Sequence, residues 1–187
     1  MSRSVAFLGP QGSGKSTIAA LFVEHRGYQR HGIADAIKHV AGMAYRDLTK
    51  TETLVLDRYT GQTVITGREL LQDIGAALRS VDNKFWLRVW RRDYFELQRH
   101  GYGVVVDDVR LDAEVAYLRA VDPAIYIVGL HADEATRSAR MGAPLSGTSD
   151  VTERGWTTAD IDLILDTSGM TPEEAYRRIT DGMEEEA

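Results

Sequence analysis

The chain has 187 residues and a mass of 20.8 kDa, enough for one domain with a sizeable core. Its 43% hydrophobic and 27% charged residues exclude a disordered tail, a collagen-like repeat and a coiled-coil rod, and no run approaches the ~20 apolar residues of a membrane span. The absence of cysteine excludes disulfides, a thiol nucleophile and thiolate metal sites, while 22 Lys+Arg against 28 Asp+Glu leave −6, a field that disfavours non-specific nucleic-acid binding. The opening Met1-Ser2-Arg3-Ser4-Val5 carries no secretory signal, so a cytoplasmic protein is the default expectation. Lysine occurs only at Lys15, Lys38, Lys50 and Lys84, so arginine supplies most of the positive charge. Codon bias can produce that excess; the functional alternative is arginine forks that grip phosphate or carboxylate.

In chain order, Val5–Leu8 is a short apolar strand ending in glycine, followed by a helix over about 15–26 with Ile18, Leu21 and Phe22 on one face. A weak strand lies near 27–33 and a helix over about 34–45. Helices follow at 67–79 and 83–99, the second with Phe85, Leu87, Val89, Trp90 and Leu97 as its apolar side. Val104-Val105-Val106 before Asp107 is apolar at every position, the pattern of a strand covered on both faces. A helix at 112–121, a strand at 124–128, a helix at 133–141, a short strand at Leu163–Leu165 and a last helix starting at Pro172 with Thr171 as its cap complete the pattern. Such alternation implies a mainly parallel sheet with helices on both faces.

Gly9-Pro10-Gln11-Gly12-Ser13-Gly14-Lys15-Ser16 matches the phosphate-loop pattern G-x-x-x-x-G-K-[ST], with a strand before it and a helix after it. Glycines let backbone N–H groups approach phosphate oxygens, and the helix start adds its positive dipole end. Lys15 would place an ammonium between the β- and γ-phosphates, and Ser16 would offer a hydroxyl to Mg²⁺. Asp107 and Asp108 close the valine strand and are placed to hold Mg²⁺ directly or through water. Adjacent strand residues point to opposite sides, so one would face the metal and the other a substrate; a plain helix-capping turn is the competing reading. Arg110 and Glu114 follow, giving Asp-Asp-Val-Arg-x-x-x-Glu.

Arg68, Gln72 and Arg79 fall on one helical face, a cradle for a second phosphate and a base edge, or else a solvated face paired with Glu69 and Asp73. Arg137 and Arg140 are aligned by i,i+3 spacing ahead of the loop-like 142–149 stretch. They read as lid arginines closing over the transferring phosphoryl group, or as a surface helix paired with its own acids. His25, His31, His39, His100 and His131 are scattered and read as surface or packing residues.

Four segments then carry a resemblance: Gly9–Thr17, Ile33–Lys38, Thr66–Gly75, and Val106–Arg110 with Glu114. In these the chain resembles the bacteriophage-type deoxynucleoside monophosphate kinases, a branch of the nucleoside monophosphate kinase group of P-loop proteins. The resemblance implies an α/β fold, a P-loop NTPase three-layer α/β/α sandwich with a five-stranded parallel sheet of order 2-3-1-4-5. It implies one domain over 1–187, with a monophosphate-binding region at about 34–100 and a lid at about 133–157. The implied enzyme moves the γ-phosphoryl group of ATP to a deoxynucleoside monophosphate, in nucleotide supply for DNA synthesis, with ATP and Mg²⁺ as cofactors. By position, Gly12, Ser13, Gly14, Lys15, Ser16, Thr17 and Arg137 hold ATP; Lys15, Arg137, Arg140, Asp107 and Asp108 are the catalytic candidates, and Ser16 and Asp107 the metal candidates. Asp35, Lys38, Arg68, Gln72, Arg79 and Arg110 shape the acceptor site. The family suggests dGMP and dTMP as acceptors and allows a homodimer, for which Trp86, Trp90 or Trp156, taken as exposed, would mark the interface. A phage-encoded enzyme would work in the host cytoplasm. The segment Ser149-Asp150-Val151-Thr152-Glu153 departs from the family's Ser-Glu pair, which weakens base contacts from it and from Trp156.

The expected partners are small-molecule nucleotides, with no nucleic acid and no membrane. The rival readings are a P-loop kinase of another small metabolite, a non-catalytic nucleotide-binding regulatory module, and a nucleic-acid motor, the last disfavoured by the charge of −6.

Overall fold

Val5–Leu8 forms strand β1, and all four of its residues are buried. A strand that is apolar on both faces belongs inside a sheet, and β1 is flanked on each side by a parallel neighbour. The computed structural model describes residues 2–142 and 160–185. Their order is β1, α1 (Lys15–Arg26), β2 (Gln29–Arg30), α2 (Asp35–Ala44), β3 (Thr53–Arg58), β4 (Gly61–Thr66), α3 (Gly67–Val81), α4 (Phe85–Arg99), β5 (Val104–Val109), α5 (Asp112–Val121), β6 (Tyr126–His131), α6 (Glu134–Met141), β7 (Leu163–Asp166) and α7 (Pro172–Glu185). The chain divides into two compact units, Met1–Gly32 with Arg91–Ala187, and Ile33–Trp90.

The larger unit holds a five-stranded sheet of order β2-β5-β1-β6-β7, parallel at every pairing. Counted among its own strands this is 2-3-1-4-5; the labels differ because the β3–β4 hairpin is inserted in the chain. Helices lie on both sides of the sheet, as expected. Phe22 of α1 is the hub of the core: its ring centroid lies 5.8 Å from Phe7, 5.3 Å from Tyr28 and 5.0 Å from Tyr176. Val5, Tyr126, Val128, Leu130, Ile179 and Met183 close around it. At the other end of β1 a buried polar cluster ties α4 to the sheet. Ser4 Oγ accepts from Val104 N at 3.1 Å and Gln98 Nε2 at 2.7 Å, and Tyr94 hydrogen-bonds both Ser4 and Asp122. Burial, and then the Asp122 carboxylate, push the Tyr94 phenol well above its ordinary pKa.

The smaller unit contains the antiparallel hairpin β3–β4, for which the sequence reading had no element. Its strands meet through a tight turn at Tyr59-Thr60, closed by the Arg58–Gly61 pair. Helix α3 opens with a capping box: Thr66 Oγ1 accepts from Glu69 N, and Glu69 Oε2 accepts from Thr66 N at 2.7 Å. Trp86 corrects one expectation. It is 3% exposed and donates Nε1–H to Gly75 O at 3.0 Å, and Trp90 is 1% exposed. Neither is a surface aromatic; each supplies the apolar side of α4. Trp156 lies outside the described residues.

Candidate phosphate-binding site

The loop Gly9–Gly14 joins the buried end of β1 to the first turn of α1, with Gly14 as the left-handed N-cap at φ 97°. Lys15 turns back over the loop and donates Nζ–H to Gly9 O at 2.5 Å and Pro10 O at 2.7 Å. Its ammonium is thus held by neutral carbonyls above the loop. Ser16 and Thr17, next on α1, are exposed.

Helix α6 sits directly on this loop. Gly12 has φ +80°, and a Cβ there would lie 2.9 Å from Arg137 Cβ and 3.0 Å from Arg137 O, so only glycine fits. Arg137 Nη1 donates to Gln11 O at 3.2 Å and Arg140 Nη1 to Gly12 O at 3.3 Å. Arg140 has no carboxylate partner among the described residues, contrary to the self-paired surface helix. Asp133 caps α6 by accepting from Thr136 N at 2.7 Å, and that bond first, then the Thr136 hydroxyl, holds its carboxyl below the usual range. Two sequence-predicted arginines therefore reach the loop from a helix far along the chain. Of the 133–157 stretch expected to be a lid, 143–157 lie outside the described residues, including Ser149, Asp150 and Glu153.

The acidic pair is reshaped by a bulge. Ala6 pairs with Val106 and Leu8 with Val109, so β5 carries one residue more than β1 between those pairings. Asp107 and Asp108 occupy the bulge, and both meet the β2 side of the sheet. Asp107 Oδ1 is 2.7 Å from Arg30 Nη2, with only 2% of that carboxylate side chain exposed. A Cβ on Gly32 would lie 2.6 Å from Asp108 Oδ2 and 3.2 Å from Arg30 Nη2. The strict alternation expected for an extended pair is corrected here: the extra residue re-aims the side chains, and both lie close to Arg30 or Gly32. Arg30 went unnoticed in the sequence, because a two-residue strand with an exposed cation gives no local signal. Glu114 serves the helix after β5, accepting from Arg110 N at 2.8 Å and Leu111 N at 3.1 Å.

In the smaller unit Arg68, Gln72 and Arg79 are each exposed and line up along one row of α3, a row that packs at its buried glycine. Gly75 falls in the same row, and the Arg79 guanidinium lies against it, with Nη2 3.1 Å from where a Cβ would be. Glu69, a proposed acidic partner, is instead turned back to Thr66 as the cap. Neither Arg68 nor Arg79 has a carboxylate partner among the described residues. Asp35 and Lys38 face each other at 2.8 Å. Among the histidines, the His25 ring lies tilted against Tyr176 at 5.5 Å and His100 Nδ1 contacts Glu96 O at 2.7 Å, both packing roles.

No protein-family model matches the sequence, and no curated protein matches it in sequence. Solved structures do match in three dimensions. A sugar kinase from Janibacter sp. is 18% identical with a TM-score of 0.60, over 98% of this chain and 95% of its own. A gluconokinase from Sinorhizobium meliloti is 19% identical with a TM-score of 0.57, over 99% of this chain and 93% of its own. The APS kinase of Mycobacterium tuberculosis, solved with AMPPNP and APS, is 17% identical with a TM-score of 0.59, over 98% of each chain. The fold is the one these three kinases share. Sequence identities this low carry the fold and leave the substrate to the site itself. Among the described residues no helix is long and apolar enough to cross a membrane.

Proposed function

We propose that the chain is an ATP-dependent kinase that phosphorylates a deoxynucleoside monophosphate. The observation that carries the reading is the row of Arg68, Gln72 and Arg79 on α3, cations without carboxylate partners among the described residues, in a protein whose other unit holds the phosphate loop. The loop supplies glycine-shaped backbone, the Lys15 ammonium and the Arg140 guanidinium, a set suited to a triphosphate. Gly12, Ser13, Gly14, Lys15, Ser16, Thr17 and Arg137 hold the donor. Arg68 grips the acceptor phosphate, Gln72 offers paired hydrogen bonds to a base, and Arg79, Asp35 and Lys38 line the same substrate, to which the resemblance also assigns Arg110.

The donor set also fits Mg²⁺. The exposed Ser16 hydroxyl and the Asp108 carboxylate are hard oxygen ligands that could hold the cation, and the Asp107 carboxylate, ion-paired with Arg30 and 2% exposed, would act on it through water. Bound there, Mg²⁺ would neutralise charge on the transferring group. Lys15, Arg137 and Arg140 offset the remainder, and the arginine row orients the acceptor. An acceptor phosphate oxygen is already nucleophilic at neutral pH, so no general base is required and positioning with electrostatics lowers the barrier.

A second reading, a kinase of a small hydroxylated or phosphorylated metabolite, is favoured by the sugar kinase and gluconokinase likenesses. ADP production from ATP, measured over the four deoxynucleoside monophosphates, gluconate and APS, separates the two. Turnover on at least one monophosphate and none on gluconate is expected; the reverse overturns the assignment. Tight ATP binding with no turnover on any acceptor would instead favour a regulatory module.

A further inference from the structure

We infer that Thr167, in the turn after β7, is a positioning residue that sets the direction of the phosphate-loop peptides and the place of Arg140; the inference rests on the ATP-binding reading above. Thr167 is 2% exposed. Its hydroxyl has two backbone carbonyls within donating reach, Ser13 O at 3.1 Å and His131 O at 3.0 Å, and accepts from Arg140 Nη1 at 3.0 Å. Its own carbonyl accepts from Arg140 Nη2 at 2.6 Å, and its N–H donates to His131 O at 2.8 Å. One residue thus joins the end of β6, the loop after β7, a cation of α6 and the phosphate loop.

The consequence for the loop follows from peptide geometry. In a planar trans peptide the carbonyl of one residue and the N–H of the next point in opposite directions. Thr167 draws Ser13 O toward itself, and Arg140 draws Gly12 O toward itself at 3.3 Å. The Gly14 N–H must then point away from Thr167, and it has no partner among the described residues. Left unpinned, the Ser13 peptide could rotate and present an oxygen to an anion, which would repel it. The same hydroxyl fixes Arg140, whose guanidinium donates to the neutral oxygens of Gly12 and Thr167 beside the loop. A buried hydroxyl that orients a donor and a cation together acts on anion affinity without touching the anion.

The test replaces the hydroxyl while keeping the shape. Thr167→Val should lower ATP affinity, read by calorimetry, and kcat/KM for ATP by roughly 10- to 100-fold, the range expected for losing an oriented donor. The acceptor KM should stay within about threefold, and Thr167→Ser should stay near wild type, because it keeps the oxygen. In an Arg140→Ala background the Thr167→Val loss should shrink, since the two act through one network. Should Thr167→Val fail to fold, Thr167→Ala is read against Thr167→Ser in the same assays. Thr167→Val or Thr167→Ala binding ATP like wild type, Thr167→Ser failing as badly as Thr167→Val, or strict additivity with Arg140→Ala overturns the inference alone. A wild-type protein that takes up no ATP overturns the kinase reading and the inference with it.

Discussion

Lys15 and Arg68 are both cations, yet their surroundings assign them different work. Lys15 Nζ rests on Gly9 O and Pro10 O, so its charge stands at the loop before any ligand arrives. Lys15→Ala removes a charge-assisted contact in a site shaped for anions and should lower kcat by about 10²- to 10³-fold, or about 3 to 4 kcal/mol of transition-state stabilisation. Steady-state turnover near the wild-type rate would refute the proposed mechanism. Arg68 sits on α3 in the other unit. Arg68→Ala should raise the acceptor KM by roughly tenfold or more, as for a lost hydrogen bond to a charged group, and leave the ATP KM within about threefold. Equal changes in both constants would deny separate sites. The loop glycines, Lys15 and the α3 row were legible because spacing along one segment encodes them. Arg30 against Asp107 and Thr167 against Ser13 were not, because those contacts join residues far apart in sequence.

At the scale of elements, local chemistry fixes several boundaries. Thr171 caps α7 as its sequence suggests, accepting from Glu174 N at 3.2 Å, and Pro172 follows as the first helical residue. Thr66 does the same for α3, and Thr66→Ala should cost about 1 kcal/mol in a urea melt. The partner in that box adds a pH dependence. The Thr66 N–H, then its hydroxyl, hold the Glu69 carboxyl below the ordinary value of 4.5. A depressed carboxyl contributes stability above its unfolded pKa, and that contribution is lost as pH falls through the lower folded value. Glu69→Gln should therefore flatten the acid limb of stability against pH, with the two proteins converging at the acid end. A Glu69→Gln curve parallel to wild type from neutral pH down past 4.5 would contradict the sign. The β3–β4 hairpin escaped the sequence reading because polar residues fall on both of its faces, Asp57 and Gln62 on one and Arg58 and Thr63 on the other, so no clean alternation marks the strands, and Tyr59-Thr60 is not a strong turn dipeptide. The β5 bulge escaped it because a one-residue excess is defined only by the partner strand.

Across the whole molecule the net charge of −6 is compatible with anionic ligands because a few cations are held locally at the loop and on α3. The continuous apolar strands by themselves implied a mainly parallel sheet covered on both faces, while the strand order came only with the family resemblance. That core and the phosphate loop are physically joined: Phe22 is on the same helix whose first turn carries Lys15 and Ser16. Phe22→Ala empties a site lined by Phe7, Tyr28 and Tyr176 and should cost about 3 to 5 kcal/mol. Against a typical total of about 5 to 15 kcal/mol, that is a large fall in thermal midpoint. The loop itself is untouched, so the molecules that stay folded should bind ATP as before. At a ligand concentration of about 100 Kd, binding to the folded state adds about 2.7 kcal/mol, and this addition should be the same for wild type and Phe22→Ala. Lys15→Ala should show the opposite pattern, a midpoint near wild type without ATP and a much smaller rise with it. Thermal melts of the three proteins with and without ATP therefore separate the core from the site: an ATP-induced gain that is lost in Phe22→Ala, or kept in full in Lys15→Ala, would mean that the nucleotide is held somewhere other than this loop.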